Sequence, residues 1–288
     1  MVERCDIAII GGGPVGTALA LALRDSGLSI MVFEARKPDE QNADPRALAI
    51  SYGSRLLLDK LGVWKQIEQV SPIRTINVSQ KGTHGITLLY ASEMKVPELG
   101  YVLPYSALQS SLYSSLQRTE VTYLEGASVS NLISGTAGAT VVYKHESIEH
   151  HLEARLAVVA DGGKLLEAAY PPKVREYGQS AVIAHITCAF PQADTAFERF
   201  TAQGPVALLP YKEGYEIVWT GSHEQAKEML QWDNDKFLSE LHRHFGDEVG
   251  EFLTVGKRSC FPLRLKRAPN TTLPHTVLIG NAAQTCIR

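Results

Sequence analysis

The chain has 288 residues, 44% of them apolar and 20% charged, with a formal net charge of −3. This is the composition of a soluble globular protein, long enough for one large domain or two ordinary ones, and it offers no basic field for nucleic acid. Its four cysteines (Cys5, Cys188, Cys260, Cys286) stand far apart, which suits neither a zinc ribbon nor a disulfide scaffold and points to a reducing compartment.

The first apolar run, IAII, is too short for a signal-peptide core and ends in glycines as a buried strand does. No stretch approaches the ~18 apolar residues of a membrane-spanning helix. CDIAII reads as a strand, PVGTALALALRDSG as a helix with Pro14 in its first turn and Gly27 at its end, and LSIMVFEA as a second strand. Together they make a right-handed βαβ unit. GSRLLLDKLGVWKQIEQV reads as helical with a break near Gly62.

From about residue 73 the pattern alternates. RTINVSQ with GITLLYA, and later ATVVYKH with SIEHHLEA, suggest antiparallel hairpins, with a helix over SALQSSLYSSLQ between them. LAVVADGG reads as a separate short buried strand, followed by β-rich SAVIAHITCAF and YEIVWTGS. Helices fit EQAKEMLQ and DNDKFLSELHRHF, where Phe237, Leu238, Leu241 and Phe245 share one face. HTVLIG closes the series as a buried strand, and Gly280-Asn281-Ala282-Ala283 is expected to turn toward a helix.

IIGGGPVG places Gly11, Gly13 and Gly16 in the G-x-G-x-x-G spacing. The first glycine permits the tight turn, the second admits a pyrophosphate close to the backbone, and the third lets helix and strand pack closely. The helix starting at Pro14 and Val15 aims free N–H groups and its positive dipole end at phosphate. Glu34 ends the second strand eighteen residues past Gly16, where a carboxylate binds ribose hydroxyls and repels a 2′-phosphate; Ala35 and Arg36 continue that edge of the site. The motif alone does not separate FAD from NAD.

Three further stretches, DPRALAISYGSRLLLDKLGVW, AFERFTAQGPVALLP and VLIGNAAQT, carry a resemblance that runs over essentially the whole chain. The sequence resembles the ubiquinone-biosynthesis hydroxylases, FAD-dependent aromatic monooxygenases built like p-hydroxybenzoate hydroxylase. The resemblance implies an α/β fold: a Rossmann-like FAD-binding domain interleaved with an antiparallel β-sheet substrate domain. It divides the chain into FAD-binding parts 1–72, 101–176 and 269–288 and substrate-domain parts 73–100 and 177–268. FAD is the implied cofactor, NAD(P)H the reductant, and a polyprenyl phenol the substrate. The implied location is the cytoplasm, at the periphery of the inner membrane or in contact with a biosynthetic complex, with a homo-oligomer open.

The family's first motif falls on Gly11, Gly13, Gly16 and Glu34. Its arginine after the second strand falls on Arg46, where a guanidinium near the flavin can hydrogen-bond the pyrophosphate or flavin edge; on residue type alone, a solvated arginine is the competing reading. Gln109 matches a glutamine lying along the ribityl chain, and Ser106 stands where relatives commonly have an arginine. Asp161 and Gly162 match a turn serving FAD and NAD(P)H. Gly280 and Asn281 match the last motif, with an asparagine that both accepts and donates hydrogen bonds. Relatives continue from there into a glycine-rich loop and helix, so the chain reads as a C-terminally shortened member, expected to hold FAD less tightly and to turn over slowly or not at all.

No metal site is expected: His150 and His151 are neighbours on a strand, and His242 and His244 are two apart on a helix. His185 alternates with apolar residues and reads as a satisfied core histidine or a residue lining the substrate sheet. Tyr215 and Trp219 could pack a quinone-like ring, but core is the preferred reading for both. Glu198 and Arg199 read either as residues shaping a pocket mouth or as a surface ion pair. Two alternatives stay open: a non-catalytic relative serving assembly of a biosynthetic complex, and another FAD-dependent oxidoreductase.

Overall fold

Alternation in the first strand sets up the first layer. In β1 (Glu3–Ile10), Ile7 and Ile9 face one side while Ala8 and Ile10 face the other, and all four are buried. The computed structural model describes residues 3–37, 44 and 46–286. α1 (Pro14–Leu23) has Pro14 at its start and stops before the expected end, leaving Gly27 at φ +73° in the turn that follows. β2 (Ile30–Glu34) lies parallel to β1.

β3 (Ala47–Ser51) is followed by α2 (Tyr52–Lys60), with Ser51 capping the helix by accepting from the Ser54 N–H at 3.2 Å. Gly62, at φ +79°, separates α2 from a short 3₁₀ turn over Trp64–Gln66. β4 (Ser71–Ile73), β5 (Thr75–Gln80), β6 (Ile86–Tyr90) and β7 (Gly100–Pro104) come next, then α3 (Tyr105–Leu116). β3, β7 and β4 make a small antiparallel sheet that the sequence pattern did not reveal.

β8 (Thr122–Glu125), β9 (Ser128–Ser134), β10 (Ala139–His145) and β11 (Ile148–Val159) complete most of the first large sheet. The two stretches read separately as SIEHHLEA and LAVV are one strand. Most of β11 alternates, where it pairs with its hairpin partner β10; its last three residues, Ala157, Val158 and Val159, are all buried between β1 and a later parallel strand.

β12 (Lys173–Cys188), β13 (Thr195–Thr201), β14 (Gly204–Tyr211) and β15 (Gly214–Ser222) build a second large sheet. It is backed by α4 (His223–Gln231) and α5 (Asn234–Phe245). Ser222 and Gln225 form a reciprocal capping box at α4, and Asp233 caps α5. β16 (Phe252–Val255), β17 (Ser259–Arg267), β18 (Thr272–Leu273), β19 (Thr276–Leu278) and β20 (Gln284–Cys286) finish the chain. The expected turn toward a helix is a single 3₁₀ turn over Gly280–Ala282. The chain then extends as β20 against β17, because Ala268 N–H and the β17 edge take up its backbone groups.

In the first sheet, β8, β2, β1, β11 and β19 run parallel in that order. One face carries α1, α2 and α3, with Leu112 of α3 packed in a cluster with Ile7, Ile9, Val32 and Val158; on the other, Val141 of β10 clusters with Phe33, Leu152 and Val159. The chain leaves β1 toward β2 on one side and pairs with β11 on the other. This topological switch point opens a crevice at the strands' carboxyl ends. In the second sheet, Val182, Ala184 and Ile186 of β12 and Tyr215, Ile217 and Trp219 of β15 face α5, where Phe237, Leu241 and Phe245 are buried. The residues between them point the other way, toward the small sheet and Arg46.

Within that second core the ring of His244 stands edge-on to Trp219 with centroids 5.0 Å apart, and its Nδ1 is buried without a hydrogen-bond partner. Burial, reinforced by Lys81, lowers its pKa from 6.5 to about 4. The unfolded chain therefore binds a proton that the fold excludes, so stability is lost as pH falls through that window. His244→Phe keeps the ring contact and removes the titration. Chemical denaturation between the two pH values should show wild type losing stability relative to this variant on acidification; parallel curves would refute the assignment.

Candidate functional site

Separated segments meet above the parallel strands, and glycine is what lets them meet. Gly11 leaves β1 at φ +111°, and a Cβ there would lie 2.6 Å from the Ala160 carbonyl oxygen. A Cβ on Gly16 would overlap the Gly11 carbonyl oxygen, and one on Gly12 would overlap the Tyr123 hydroxyl. Gly280, at φ +57°, sits against Val15, where a Cβ would come within 3.0 Å of a methyl group. Gly163, beside Asp161 and Gly162, packs against the backbone of Ala282. The first, middle and last motifs are thereby in mutual contact.

Gly13 differs from these. Its nearest neighbour on the Cβ side is the Tyr105 hydroxyl at 3.9 Å, so space is left where a ligand would approach. It is also the N-cap of α1, and no side chain caps that end. The positive end of the helix is thus free for an anion.

The Gly12 carbonyl is a hub. It accepts from Thr17 Oγ1 at 2.9 Å, Gln109 Nε2 at 2.7 Å and Tyr123 OH at 3.2 Å. Gln109 is 1% exposed, and its Oε1 is buried with no partner. A buried amide oxygen left unpaired is costly, and a ligand hydroxyl donating to it would remove that cost. Glu34 is buried as well; its Oε2 accepts from the Gly12 N–H at 3.0 Å, and Oε1 from the Arg36 N–H at 2.9 Å and Nε at 2.8 Å. Ala35, between them, is exposed.

The Asp161 carboxylate is turned into its own loop, accepting from the N–H groups of Gly163 at 2.7 Å and Leu165 at 2.8 Å. It shapes the turn, while Gly162 at φ +81° presents backbone. Asn281 is exposed beside it, and its backbone carbonyl accepts from Thr285 Oγ1. Thr17, Tyr105 and Tyr123 escaped the sequence reading. Only the glycine-hub geometry singles them out, since a tyrosine in a helix entrance or edge strand is ordinary.

Arg46 stands apart from the glycine cluster. Its carbonyl accepts from the Tyr105 N–H at 2.9 Å, its Nε donates to Asp44 Oδ1 at 2.8 Å, and its guanidinium lies over the rings of Tyr105 and Phe261. It is therefore held by an ion pair and two rings, with its side chain still 41% exposed. It borders a cavity of about 290 Å³ on the second large sheet, lined by Ile183, His185, Tyr211, Glu216 and Phe261 together with Lys212 and Lys257. His185 and Glu216 are direct cross-strand partners on β12 and β15. His185 is not a satisfied core histidine: its Nδ1 is buried, unbonded, and 3.9 Å from Glu216 Oε2.

Tyr215 and Trp219 are core, as expected. Tyr215 OH donates to the Gln192 carbonyl and accepts its N–H. Arg199 does not pair with Glu198 but with Glu248, Ser79 Oγ and the His244 carbonyl. Among the described residues no cluster of three His, Cys, Asp or Glu side chains could hold a metal. His150 stacks on Tyr143 and His151 approaches Glu149 on the opposite face.

A glycine cradle, a free helix N-terminus and an unpaired buried amide fit a bound dinucleotide, and the fold around them matches that of FAD-dependent monooxygenases. The FAD binding domain family model matches residues 4–286, and the chain belongs to that family, with FAD as its cofactor. It is 31% identical to an uncharacterised protein of Synechocystis over 99% of this chain and 70% of that protein. It is 28% identical to the 3-demethoxyubiquinol 3-hydroxylase of Escherichia coli, over 98% of this chain and 74% of the enzyme. The crystal structure of p-nitrophenol 4-monooxygenase PnpA from Pseudomonas putida superposes with a TM-score of 0.78 at 15% identity, over 98% of this chain and 74% of that one. That likeness shows the p-hydroxybenzoate hydroxylase type of fold.

Two substitutions test the cradle. Gln109→Leu leaves the Gly12 carbonyl two donors, so the melting temperature should barely move. FAD affinity, read by flavin fluorescence quenching, should fall roughly tenfold, the worth of about one hydrogen bond to a buried acceptor; unchanged affinity would remove Gln109 from the site. Gly16→Ala drives a Cβ into the Gly11 carbonyl and should abolish soluble folded protein, whereas a soluble variant with wild-type FAD content would show that the turn relaxes.

Proposed function

We propose that the protein hydroxylates the ring of a polyprenyl phenol in ubiquinone biosynthesis, using FAD, NAD(P)H and dioxygen. One observation carries the reading: an aromatic-walled cavity on the second sheet is bordered by Arg46, whose guanidinium lies over the ring of Tyr105, the residue nearest Gly13. Bound FAD supplies oxygen activation with electrons from NAD(P)H. The residues of this chain bind and orient. Gly13 and the α1 N-terminus face the pyrophosphate, Glu34 the ribose, and Gln109 Oε1 a ribityl hydroxyl. Gly162 and Asn281 contribute the far wall. Phe261 and Tyr211 hold the ring and keep water from it.

The similarity to the 3-demethoxyubiquinol 3-hydroxylase over nearly the whole chain supports the substrate class. Such a substrate is a lipid, and the proposed setting is cytoplasmic with peripheral contact to the membrane. Among the described residues no helix is long and apolar enough to cross a bilayer, while Ile86, Leu88, Leu89 and Met94 expose apolar surface around β6.

The visible spectrum of the purified protein decides the first step. Flavin bands that bleach on anaerobic NAD(P)H addition, followed by an added oxygen atom in a short-chain prenyl phenol by mass spectrometry, are the expected results. Folded protein that binds no flavin would favour a non-catalytic role in assembly. Bleaching without hydroxylation of any phenol would favour another flavin-dependent oxidoreductase.

A further inference from the structure

The cavity beside Arg46 contains a carboxyl group that cofactor binding does not use. Glu216 is 7% exposed, in a strand whose neighbours Tyr215 and Ile217 are fully buried on the opposite face. A carboxylate in that position is costly unless something approaches it. Across the sheet stands His185, with Nδ1 buried and unpaired 3.9 Å from the carboxylate. The imidazole side chain is 34% exposed and the carboxylate side chain 10%, so His185 is the member of the pair nearer solvent.

The other groups facing the pair are few. Lys212, in the β14–β15 turn, lies over the Tyr211 ring with Nζ 5.2 Å from its centroid. The Tyr211 ring is edge-on to His185 at 5.8 Å. Lys257 and Ser259 come from the segment entering β17, and Arg46, paired with Asp44, from the segment before β3. The cations favour an anion in the cavity, and the aromatic walls favour a ring.

We propose that Glu216 is the proton acceptor for the ring hydroxyl of the substrate, and that His185 passes this proton to solvent; the proposal rests on the aromatic-hydroxylase reading above. The phenol O–H bond breaks with its electron pair left on oxygen and the proton goes to a Glu216 carboxylate oxygen; across the 3.9 Å gap, through one bridging water or a small side-chain rotation, it reaches His185 Nδ1, and the imidazole releases its Nε2 proton to solvent. No oxidant or reductant enters this step. A ring carrying phenolate oxygen is more electron-rich and so more readily hydroxylated, and Lys212 and Lys257 stabilise the negative charge left behind.

Burial, partly opposed by Lys212, raises the Glu216 pKa from 4.5 to about 7. Burial, reinforced by Lys212, lowers that of His185 below 6.5. Glu216 is thus basic enough to accept a proton near neutrality, and His185 holds one weakly enough to release it.

The test compares 2-prenylphenol with its methyl ether, which cannot donate. Dissociation constants for both are measured against pH with the FAD-loaded wild type, Glu216→Gln and His185→Gln. Wild type should bind the phenol about tenfold more tightly than the ether above the Glu216 pKa, with the advantage shrinking as pH falls through it. In Glu216→Gln the advantage should be smaller and independent of pH, with the melting temperature maintained or raised because a buried carboxylate is gone. Glu216→Asp, which retains a carboxylate, should keep a pH-dependent preference if the glutamine variant fails to fold. His185→Gln should keep the binding preference and lower kcat with little change in KM. A preference in Glu216→Gln that still follows pH, or no preference in wild type, would overturn the proposal. In either case phenol hydroxylation by wild type would show that the broader reading survives, whereas absent hydroxylation would sink that reading itself.

Discussion

Everything in the dinucleotide crevice depends on backbone passing backbone at the ends of β1, β11 and β19. The Gly11 peptide lies against Ala160, the Gly16 Cα against the Gly11 carbonyl, and Gly280 against Val15. At Gly11 and Gly16 the approach leaves no room for a side chain, and at Gly280 a φ of +57° and the Val15 methyl groups disfavour one, so the constraint is steric and acts before any hydrogen bond is counted. Once the segments are that close, directional interactions hold them. The Gly11 N–H donates to Phe33 O at 2.8 Å, Ala160 N–H to Ile10 O at 2.7 Å, and Ile279 N–H to Val159 O at 3.0 Å. Three stretches of chain lying far apart in sequence thereby share one wall, with their remaining backbone groups at a crevice.

The Gly12 carbonyl shows how that wall is made rigid. A carbonyl oxygen has two lone pairs, and here three side-chain donors from α1, α3 and β8 converge on it. Thr17, Gln109 and Tyr123 tie the turn to a strand and two helices, so the turn cannot shift without moving all three. Gln109 uses its amide nitrogen for this and leaves its oxygen buried and unpaired. A preorganised acceptor of that kind is what a ligand hydroxyl meets without further ordering cost.

What the sequence disclosed follows from which constraints are local. The glycine spacing, Pro14 at the helix start, and Glu34 at the end of a buried strand each leave their mark within a few residues, and β1, α1 and β2 were legible for that reason. The face shared by Phe237, Leu241 and Phe245 was legible because a helix repeats its contacts every third or fourth residue. The small sheet of β3, β7 and β4 was not, because ALAIS and GYVLP carry no alternation and pair across roughly fifty residues. β11 was divided in two because its environment changes along its length, from one-sided to two-sided burial. The Asp161-Gly162 motif was found, but its geometry was not: only the structure shows the carboxylate closing its own turn.

The second sheet repeats the lesson at the level of chemistry. In β15, YEIVW reads as core, and Tyr215, Ile217 and Trp219 are core, which draws attention away from the glutamate between them. Period two sends that glutamate to the opposite face, and the register of β12 sets His185 directly across from it. Neither residue is conspicuous alone. A histidine among apolar residues is ordinarily satisfied, and a single glutamate in a strand ordinarily reaches water. Here neither has happened: Nδ1 of one is orphaned and the other is 7% exposed. An apolar pair would fill this wall at lower energetic cost. Retaining a buried carboxyl that faces an open cavity is therefore better explained by what enters the cavity than by the stability of the sheet, and the dyad belongs to the chemistry of the site rather than to its scaffold.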